Sequence, residues 1–406
     1  HKIAIGELSE GWNPIYQSID DFNEEAEIKL SSTAAIWNDH YPKATWIFGA
    51  NIYKVTGNIE SGKCITFLMI LATFLISYSF FNLKNKATNY ILASLLALNP
   101  IILCQIGTFY IDGILGNYLI LLILSLSIMG NKKLKVNRLE NCILYFMILS
   151  IIINLKFTGF AYAGIYSLFY YIYFLIDKKL RELNFKSLTI TAVCALIIGV
   201  GVIGWSTYPK NFMEHGNPFY PLYGNDAVDI MESNTPTDFL SMNRIKRFIV
   251  SNLSRSGNGS NNGLKSYEIK MPLSFSQNEL MVFISPDVRV AGYGVLFGGV
   301  LLISFGAMCY YFYKNKFNHK DTLILMLIPI LVTGLIVLVI KESWWARYLP
   351  QLYLVPTIVV IMMSYIKGNA SKFLNNLIVF ALIVNSYILL NVIHENRSFG
   401  RESVDA

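Results

Sequence analysis

Charged side chains are scarce in this chain. They make up 15% of its 406 residues, against 54% that are hydrophobic, whereas soluble domains are about 25% charged. So little charge cannot cover the apolar side chains in water, which argues against a soluble globular protein. The formal net charge of +7 does not indicate nucleic-acid binding, because the basic residues lie between apolar segments, where they set membrane topology.

Motifs for binding metals and nucleotides are missing as well. The five cysteines form no CxxC or other zinc spacing, and we interpret them as small apolar residues of apolar segments. They are Cys64, Cys104, Cys142, Cys194 and Cys309. The chain also has no Walker A sequence, no Gly-rich dinucleotide motif after a strand, no HExxH and no GxSxG. These absences argue against nucleotide-driven chemistry.

Long apolar runs dominate the sequence instead. A membrane-spanning helix needs about 20 mostly apolar residues. The segments that qualify are 64–81, 89–106, 112–129, 140–155, 159–176, 187–205, 291–313, 322–340, 350–366 and 373–393. They predict an all-α polytopic membrane protein with about ten transmembrane helices.

The distribution of Lys and Arg predicts the topology. Five short loops between these segments are basic, and they alternate with loops poor in Lys and Arg. The basic loops are 82–89, 130–138, 177–186, 313–321 and 367–372. By the positive-inside rule they are cytoplasmic, which places the chain in a bacterial inner membrane. The predicted parts are an outer segment 1–63, six helices in 64–205, a large outer loop 206–290, four helices in 291–393 and an outer tail 394–406.

The outer segment 1–63 contains two amphipathic stretches, 18–38 and 43–58, which predict helices lying in the outer membrane interface. Because the chain starts at His1 and not at Met, we expect a further helix upstream of it. The Asn-, Ser- and Gly-rich stretch Ser251–Asn262 predicts a flexible lid or a plain linker within the large outer loop, and the linker is the simpler interpretation.

Polar residues next to membrane helices are candidates for function. In the outer segment, Asp39, His40 and Lys43 bring an acid, an imidazole and an ammonium group within five positions. They could contact an anionic lipid head group or act as an acid/base pair, or they could form a polar turn before a helix.

Two further candidates lie in the short outer turns. Asp112 opens a predicted helix, where it could be a catalytic or metal-binding carboxylate or could simply offset the helix dipole. Lys156 interrupts two apolar stretches, where it could bind a phosphate or extend to the interface.

The remaining candidates flank the last outer turns. Asp287 and Arg289 precede a Gly-rich helix start, where they could line a site or cap the helix. Glu342, Trp345 and Arg347 belong to the short turn Lys341-Glu342-Ser343-Trp344-Trp345-Ala346-Arg347-Tyr348. Arg347 would lie at the level of lipid phosphates, where it could bind phosphate through two hydrogen bonds, or it could anchor the turn at the interface together with the aromatic residues.

Taken in order, these pieces resemble the bacterial GT-C glycosyltransferases, the superfamily of the protein O-mannosyltransferases and the aminoarabinose transferases of lipid A. The matching sequences are Gly11-Trp12-Asn13-Pro14, His40-Tyr41-Pro42-Lys43, Tyr110-Ile111-Asp112, Lys156-Phe157-Thr158-Gly159, Gly216-Asn217-Pro218-Phe219-Tyr220-Pro221, Asp287-Val288-Arg289 and Trp344-Trp345-Ala346-Arg347-Tyr348. Each motif is weak alone, and their common position in the outer loops is the stronger sign.

The resemblance implies a membrane glycosyltransferase that moves a sugar from a polyprenyl-phosphate donor to a glycan, lipid or protein acceptor on the outer face. In such enzymes an Asp of the first outer loop is essential. No residue here matches it, so the resemblance places it upstream of His1. It implies that Asp112, Asp39 and His40 act in catalysis, and that Arg347, Lys156, Lys43, Glu342, Trp345, Asp287 and Arg289 bind substrate.

The resemblance leaves room for a divalent cation, for which His1 is a candidate ligand. Two other classes stay open at this point. An O-antigen polymerase or ligase would use a diphosphate-linked glycan instead. A transporter of lipid-linked glycans would be expected to have inverted repeats and helices broken near the membrane midplane, and neither is visible in the sequence.

Overall fold

A computed structural model describes residues 1–24, 31–81, 83, 85–132, 137–224, 227–228, 234–258, 267–314 and 320–405, with 32–33 and 395–405 described in backbone only. Within these ranges the regular structure is helical, apart from the isolated bridges Ser254–Ile269 and Gly257–Val290.

The α-helices follow one another along the whole described chain. They are α1 Lys2–Glu10, α2 Ile19–Glu24, α3 Ser32–His40, α4 Ala44–Thr56, α5 Cys64–Phe80, α6 Lys86–Ala97, α7 Pro100–Gln105, α8 Asp112–Gly130, α9 Arg138–Ile153, α10 Phe157–Ile176, α11 Lys178–Leu180, α12 Lys186–Ile198, α13 Tyr208–His215, α14 Thr237–Leu240, α15 Arg244–Leu253, α16 Gln277–Val282, α17 Phe297–Lys314, α18 Lys320–Val339, α19 Leu354–Ser364 and α20 Asn369–Asp405. Short 3₁₀ helices cover Ile59–Lys63, Ala346–Tyr348 and Pro350–Tyr353, and π-helical turns cover Arg181–Phe185 and Gly199–Ile203.

Six helical segments in the described ranges are long and apolar enough to cross a membrane. They are Ile59–Phe80, Asp112–Gly130, Phe157–Ile176, Lys178–Ile203, Lys320–Val339 and Asn369–His394. Apolar side chains such as Phe67, Ile197 and Phe380 are exposed on them, as expected of surfaces that face lipid. The all-α class and multiple membrane helices are thus confirmed, and six of the predicted spans are among them.

The other four predicted spans are helical but shorter. α9 has 16 residues, α17 has 18 and α19 has 11. The predicted continuous helix 89–106 is wrong, because α6 ends at Ala97 and α7 begins at Pro100. The Asn99-Pro100 pair favours a new helix start, because Asn caps a helix and proline, which has no N–H to donate, suits the first helical position. Asn99 caps the new helix by accepting a hydrogen bond from Ile102 N at 3.2 Å.

The N-terminal segment consists of short helices, and the sequence predicts only some of them. α4 confirms the predicted helix 43–58, whereas 18–38 contains the two helices α2 and α3, and α1 was not anticipated from the sequence. Two tryptophans form the centre of their common apolar core. The buried members of that core are Ala4, Ile5, Trp12, Ile19, Ala35, Trp46 and Ala50.

The chain divides into two compact units, which interleave along the sequence and differ from the predicted topological parts. The first comprises His1–Leu68, Phe109–Ile111 and Ile128–Asn234, and the second comprises Met69–Thr108, Asp112–Ser127 and Thr235–Ala406. The predicted outer tail 394–406 belongs to the second unit, where helix α20 extends to Asp405.

Some contacts within the first unit join loops that the predicted topology places on the same side of the membrane. At one end of α9 and α10, Lys132 forms an ion pair with Asp177, and Asn184 Nδ2 donates to Met129 O at 2.6 Å. At the other ends, Ala44 N donates to Asn154 O at 3.1 Å. Two predicted cytoplasmic loops therefore touch each other, and so do two predicted outer segments.

In the second unit, α8 is almost entirely buried. Two glycines on its first turns allow close approach of other backbone segments. A Cβ atom at Gly113 would lie 2.5 Å from Ile102 Cα of α7, and one at Gly116 would lie 2.9 Å from Pro350 Cβ. Because neither glycine has a side chain, α7 and the 3₁₀ helix Pro350–Tyr353 pack directly against the start of α8.

The described parts of the outer loop 206–290 contain more regular structure than their composition predicts. Ser251 and Asn252, the start of the predicted linker, belong to α15 and are buried, while residues 259–262 lie outside the described ranges. The buried Glu279 forms an ion pair with Lys270 and accepts a hydrogen bond from Ser256 N at 3.0 Å. The linker prediction is therefore wrong for its first residues, because this buried ion pair holds the neighbouring backbone.

Candidate functional site

A buried acidic residue opens the central helix of the second unit. Asp112 is the first residue of α8, and its side chain is fully buried. Gln105, the last residue of α7, donates from Nε2 to Asp112 Oδ2 at 3.2 Å and accepts a hydrogen bond from Gly113 N at 2.8 Å. The close packing of α7 on α8 thus places an amide beside the carboxylate.

An arginine joins this carboxylate to a second one. Arg347 Nε lies 3.0 Å from Asp112 Oδ2, and Arg347 Nη1 donates to Asp287 Oδ2 at 3.2 Å. The guanidinium is 19% exposed, as is the carboxylate of Asp287. The guanidinium of Arg347 therefore bridges the two carboxyl groups in the cluster Asp112–Arg347–Asp287.

Aromatic rings hold this cluster in place. Trp345 Nε1 donates to Asp287 Oδ1 at 2.9 Å, and the guanidinium carbon of Arg347 lies 5.4 Å from the centre of the Trp345 ring. On its other sides Trp345 stacks on Trp344 at 5.5 Å and faces Arg289 at 5.5 Å. Fixed in this way, the side chain of Arg347 loses little conformational freedom when it binds an anion.

The cluster borders a small cleft. The cleft has a volume of about 10 Å³ and is lined by Gln105, Asp287 and Arg347 among others, which is room for about one water molecule. Tyr348 lies beside Arg347, and burial raises the pKa of its hydroxyl, with the carboxylates of Asp112, Glu342 and Asp287 acting in the same direction. Three predicted site residues, Asp112, Asp287 and Trp345, thus surround a fourth, Arg347. Arg289 contacts the ring of the same Trp345, and the carboxylate of Glu342 acts on the neighbouring Tyr348.

In the first unit, Lys43 has a structural environment. Its ammonium is buried and donates to Asp39 O at 2.8 Å and Tyr41 O at 2.9 Å, between the rings of Trp12 and Trp46, whose centres are each 5.9 Å away. These carbonyls belong to the last turn of α3 and the residue after it. Lys43 therefore caps that helix, and burial lowers its pKa to about 7. Its role in substrate binding stays a prediction.

Asp39 and His40 lie at the end of α3 but point to different partners. Asp39 is buried and accepts a hydrogen bond from Ile19 N at 2.7 Å, and burial raises its pKa to about 6. His40 is half-buried and its Nδ1 lies 2.8 Å from Asn211 Oδ1. Burial lowers the pKa of His40 to about 4, so the imidazole is neutral at pH 7.

Both residues line a cleft of the first unit. It has a volume of about 420 Å³ and polar walls that include Asp21, Lys210, Glu214 and His215. His40, Glu214 and His215 each offer a ligating atom, and these atoms lie within 4.8 Å of one another. The predicted metal ligand His1 is not in this group, since its Nδ1 accepts a hydrogen bond from Trp46 Nε1 at 2.7 Å. Lys156 is buried at the N-terminus of α10, in the same unit.

Sequence reasoning did not single out Gln105, Lys210, Asn211, Glu214 or His215. Gln105 carried a weak signal, because an amide inside an apolar segment is costly unless it is hydrogen-bonded. The pair Glu214-His215 carried none, since its partner His40 is far away in the sequence.

Comparison of the chain with family models and with curated proteins gives no match. Among solved structures it is similar to the crystal structure of the oligosaccharyltransferase of the archaeon Archaeoglobus fulgidus in the apo form, with 14% sequence identity and a TM-score of 0.48. The similarity covers 87% of this chain and 48% of that one, so this chain spans about half the length of the oligosaccharyltransferase. A likeness this remote establishes no shared activity.

Proposed function

We propose that the chain is a membrane glycosyltransferase that transfers a sugar from a polyprenyl-phosphate donor to an acceptor on the outer face of the membrane. The observation that carries this proposal is the Asp112–Arg347–Asp287 cluster, in which a clamped arginine lies at the end of a buried membrane-spanning helix. Its sequence motifs are also among those that resemble the GT-C glycosyltransferases.

The depth of the cluster suits a lipid phosphate. Asp112 begins α8, whose other end, Gly130, leads into the basic loop 130–138. Arg347 follows α18, whose first residue, Lys320, belongs to another basic loop. Both residues therefore lie at helix ends remote from basic loops, which the positive-inside rule assigns to the outer face.

In this proposal, Arg347 binds the phosphate of the donor. An anionic oxygen already occupies the required position, because Asp287 Oδ2 lies 3.2 Å from Arg347 Nη1 at the partly exposed side of the guanidinium. The donor phosphate takes the place of the Asp287 carboxylate, while the fully buried Asp112 keeps Arg347 in position. In this proposal Asp112 acts as a positioning residue.

The chemistry that this arrangement supports is a displacement at the anomeric carbon. The bond from that carbon to the phosphate oxygen breaks, a bond to the acceptor hydroxyl oxygen forms, and the hydroxyl proton goes to a base. The lipid phosphate leaves with the electron pair, and the charge that it gains is stabilised by Arg347. Since this stabilisation is stronger in the transition state than in the bound donor, losing it should lower kcat.

The test is the transfer of radiolabelled sugar in membrane vesicles that contain the protein and are supplied with polyprenyl-phosphate hexoses or pentoses. The readout is label that leaves the polyprenyl-phosphate donor, which thin-layer chromatography separates from glycan, protein and lipid products. We expect Arg347→Ala to reduce transfer by about 100-fold or more, as for loss of a charge-stabilising donor, and Arg347→Lys to retain part of it because the charge remains. Arg244→Ala is the matched control, since Arg244 is exposed and its Nη1 donates only to the backbone oxygen of Leu338.

Undiminished transfer by Arg347→Ala would show that the proposed role of this arginine is wrong. If the vesicles consume only polyprenyl-diphosphate glycans, the chain is a polymerase- or ligase-type enzyme instead.

A further inference from the structure

A second group of side chains with a definite chemistry lies in the first unit, and it does not take part in the proposed transfer. His40 is the last residue of α3, and Glu214 and His215 are the last two residues of α13. Their ligating atoms lie within 4.8 Å of one another at the wall of the polar cleft of about 420 Å³. Tyr220 orders the two imidazoles, since its ring stacks on that of His215 at 3.6 Å and meets that of His40 edge-on at 4.8 Å, and the Glu214 carboxylate lies within reach of both.

The hydrogen bonds of Asn211 determine which nitrogen of His40 is free to act as a ligand. Asn211 Nδ2 donates to two backbone oxygens, His40 O at 3.1 Å and Tyr220 O at 2.9 Å. The opposite orientation of the amide would place its oxygen against both carbonyls. Asn211 Oδ1 therefore faces His40 Nδ1 at 2.8 Å and must accept its proton. The remaining nitrogen, Nε2, then carries a lone pair, and it is the nitrogen left to act as a ligand.

This arrangement is the one that metal-binding histidines usually have. A ligating imidazole almost always donates its other N–H to a carbonyl or carboxylate, which fixes the tautomer and the ring orientation. Here Asn211 is fully buried and held by two backbone groups, so the acceptor cannot move away from His40.

The surroundings favour a cation. Both α3 and α13 end at the group, and the C-terminal end of a helix carries a partial negative charge. The carboxylates of Asp21 and Asp39 line the same cleft. The ammonium of Lys210 also borders the cleft, but it donates to Pro14 O at 3.0 Å and Gln17 O at 3.5 Å.

We propose that His40, Glu214 and His215 form a binding site for a divalent transition-metal ion, Zn²⁺ in the first place, with the fourth ligand position open to the cleft. Two imidazoles and one carboxylate are a ligand set that suits Zn²⁺, whereas Mg²⁺ and Ca²⁺ prefer oxygen ligands. Bonds of about 2.0–2.1 Å place tetrahedral ligand atoms about 3.4 Å apart, so binding draws the exposed Glu214 and His215 side chains inwards. The site does not depend on the proposed glycosyltransferase activity.

The experiment uses the full chain in detergent, purified with a tag that contains no histidine and stripped with EDTA. Zn²⁺ is added, and bound zinc is measured by elemental analysis after gel filtration and by competition with a chromophoric chelator. We expect one zinc per chain. We expect Glu214→Gln and His215→Ala to weaken binding by about tenfold or more, a range seen even for loss of residues that only support the ligands. Both replaced side chains are exposed, so the variants should fold.

The matched control is His394→Ala, which removes an exposed histidine of the second unit and should leave zinc binding unchanged. Added Zn²⁺ should raise the Tm of the wild type but not that of His215→Ala, because a ligand stabilises only a state that binds it. Absence of stoichiometric zinc, or equal affinity in His215→Ala, would overturn the proposal. Arg347→Ala should bind zinc normally, so failure of the transfer hypothesis and failure of the zinc site can be distinguished.

Discussion

Lys43 places a cation where water is excluded. Its ammonium is buried, and its partners are two neutral carbonyl oxygens and two aromatic rings. Carbonyls and rings offset only part of the cost of burying the charge, which is why burial lowers the pKa of Lys43 to about 7. Lys43 therefore caps α3, but burying its charged form lowers the stability of the fold. The size of this loss depends on pH because the ammonium can give up its proton.

The sign of that dependence follows from linkage. Between pH 7 and the ordinary lysine pKa of 10.5, the unfolded chain holds a proton that the folded chain has lost. Stability should therefore rise with pH across this window. We expect the Tm of the wild type to increase relative to that of Lys43→Met by several degrees between pH 7 and pH 9.5, since each unit of pKa difference is worth about 1.4 kcal/mol. Thermal unfolding followed by tryptophan fluorescence measures it, and a constant Tm difference would contradict this account.

The sequence identifies which side chains could take part in function better than it identifies the groups that those side chains contact. Asp112, Asp287 and Arg347 could be selected because polar residues beside membrane helices are costly, and the structure pairs them. Lys43 was assigned to phosphate by the same logic, yet its partners are backbone oxygens of adjacent residues. Backbone oxygens leave no trace in a sequence, so the structural role of Lys43 could not be foreseen.

The position of Asp112 depends on the close packing of helix α7 against helix α8. Gly113 has no side chain, and the backbone of Ile102 fills that space. The same contact lets Gln105 Oε1 accept the hydrogen bond from Gly113 N at 2.8 Å while Gln105 Nε2 contacts Asp112. The carboxylate is thus held by the packing of two helices and not by its own helix alone.

Gly113→Ala tests this packing. The added Cβ would lie 2.5 Å from Ile102 Cα, so α7 must shift away from α8. We expect a loss of about 1–3 kcal/mol of stability, typical of overpacking, together with reduced sugar transfer. Gly164→Ala on α10 is the control, because a Cβ there meets no atom within 4 Å. Wild-type Tm and transfer in Gly113→Ala would mean that the contact between α7 and α8 does not position Asp112.

The sequence predicts the long helices better than the interrupted one, and the reasons are physical. Apolar length identified the helices that are long in the structure, such as α8 and α18. It failed at 89–106, where the Asn99-Pro100 pair carries the opposite signal, a helix cap followed by a residue without an N–H. Mean hydropathy does not detect a capping residue, so it predicts a single helix over 89–106.

For the whole molecule, the distribution of basic loops makes the strongest prediction. Two loops expected in the cytoplasm contact each other through the ion pair of Lys132 with Asp177, at the ends of α9 and α10 opposite the contact of Ala44 with Asn154. If the predicted alternation of loops around α9 and α10 were wrong, these partners would lie on opposite sides of the membrane and could not touch. The folding of the first unit is therefore consistent with the predicted alternation of cytoplasmic and outer loops.

Cysteine labelling decides between the two orientations. In a chain whose native cysteines are replaced by alanine or serine, single cysteines are placed at four exposed positions, Tyr16, Lys179, Lys341 and Lys367. In intact cells with a permeabilised outer membrane, we expect a membrane-impermeant maleimide to label Tyr16→Cys and Lys341→Cys, and to label Lys179→Cys and Lys367→Cys only after lysis, because basic loops stay in the cytoplasm. The reverse pattern would place Arg347 and Asp112 on the cytoplasmic side and remove the basis for transfer on the outer face. Labelling of Tyr16→Cys together with Lys179→Cys in intact cells would contradict the helix parity itself.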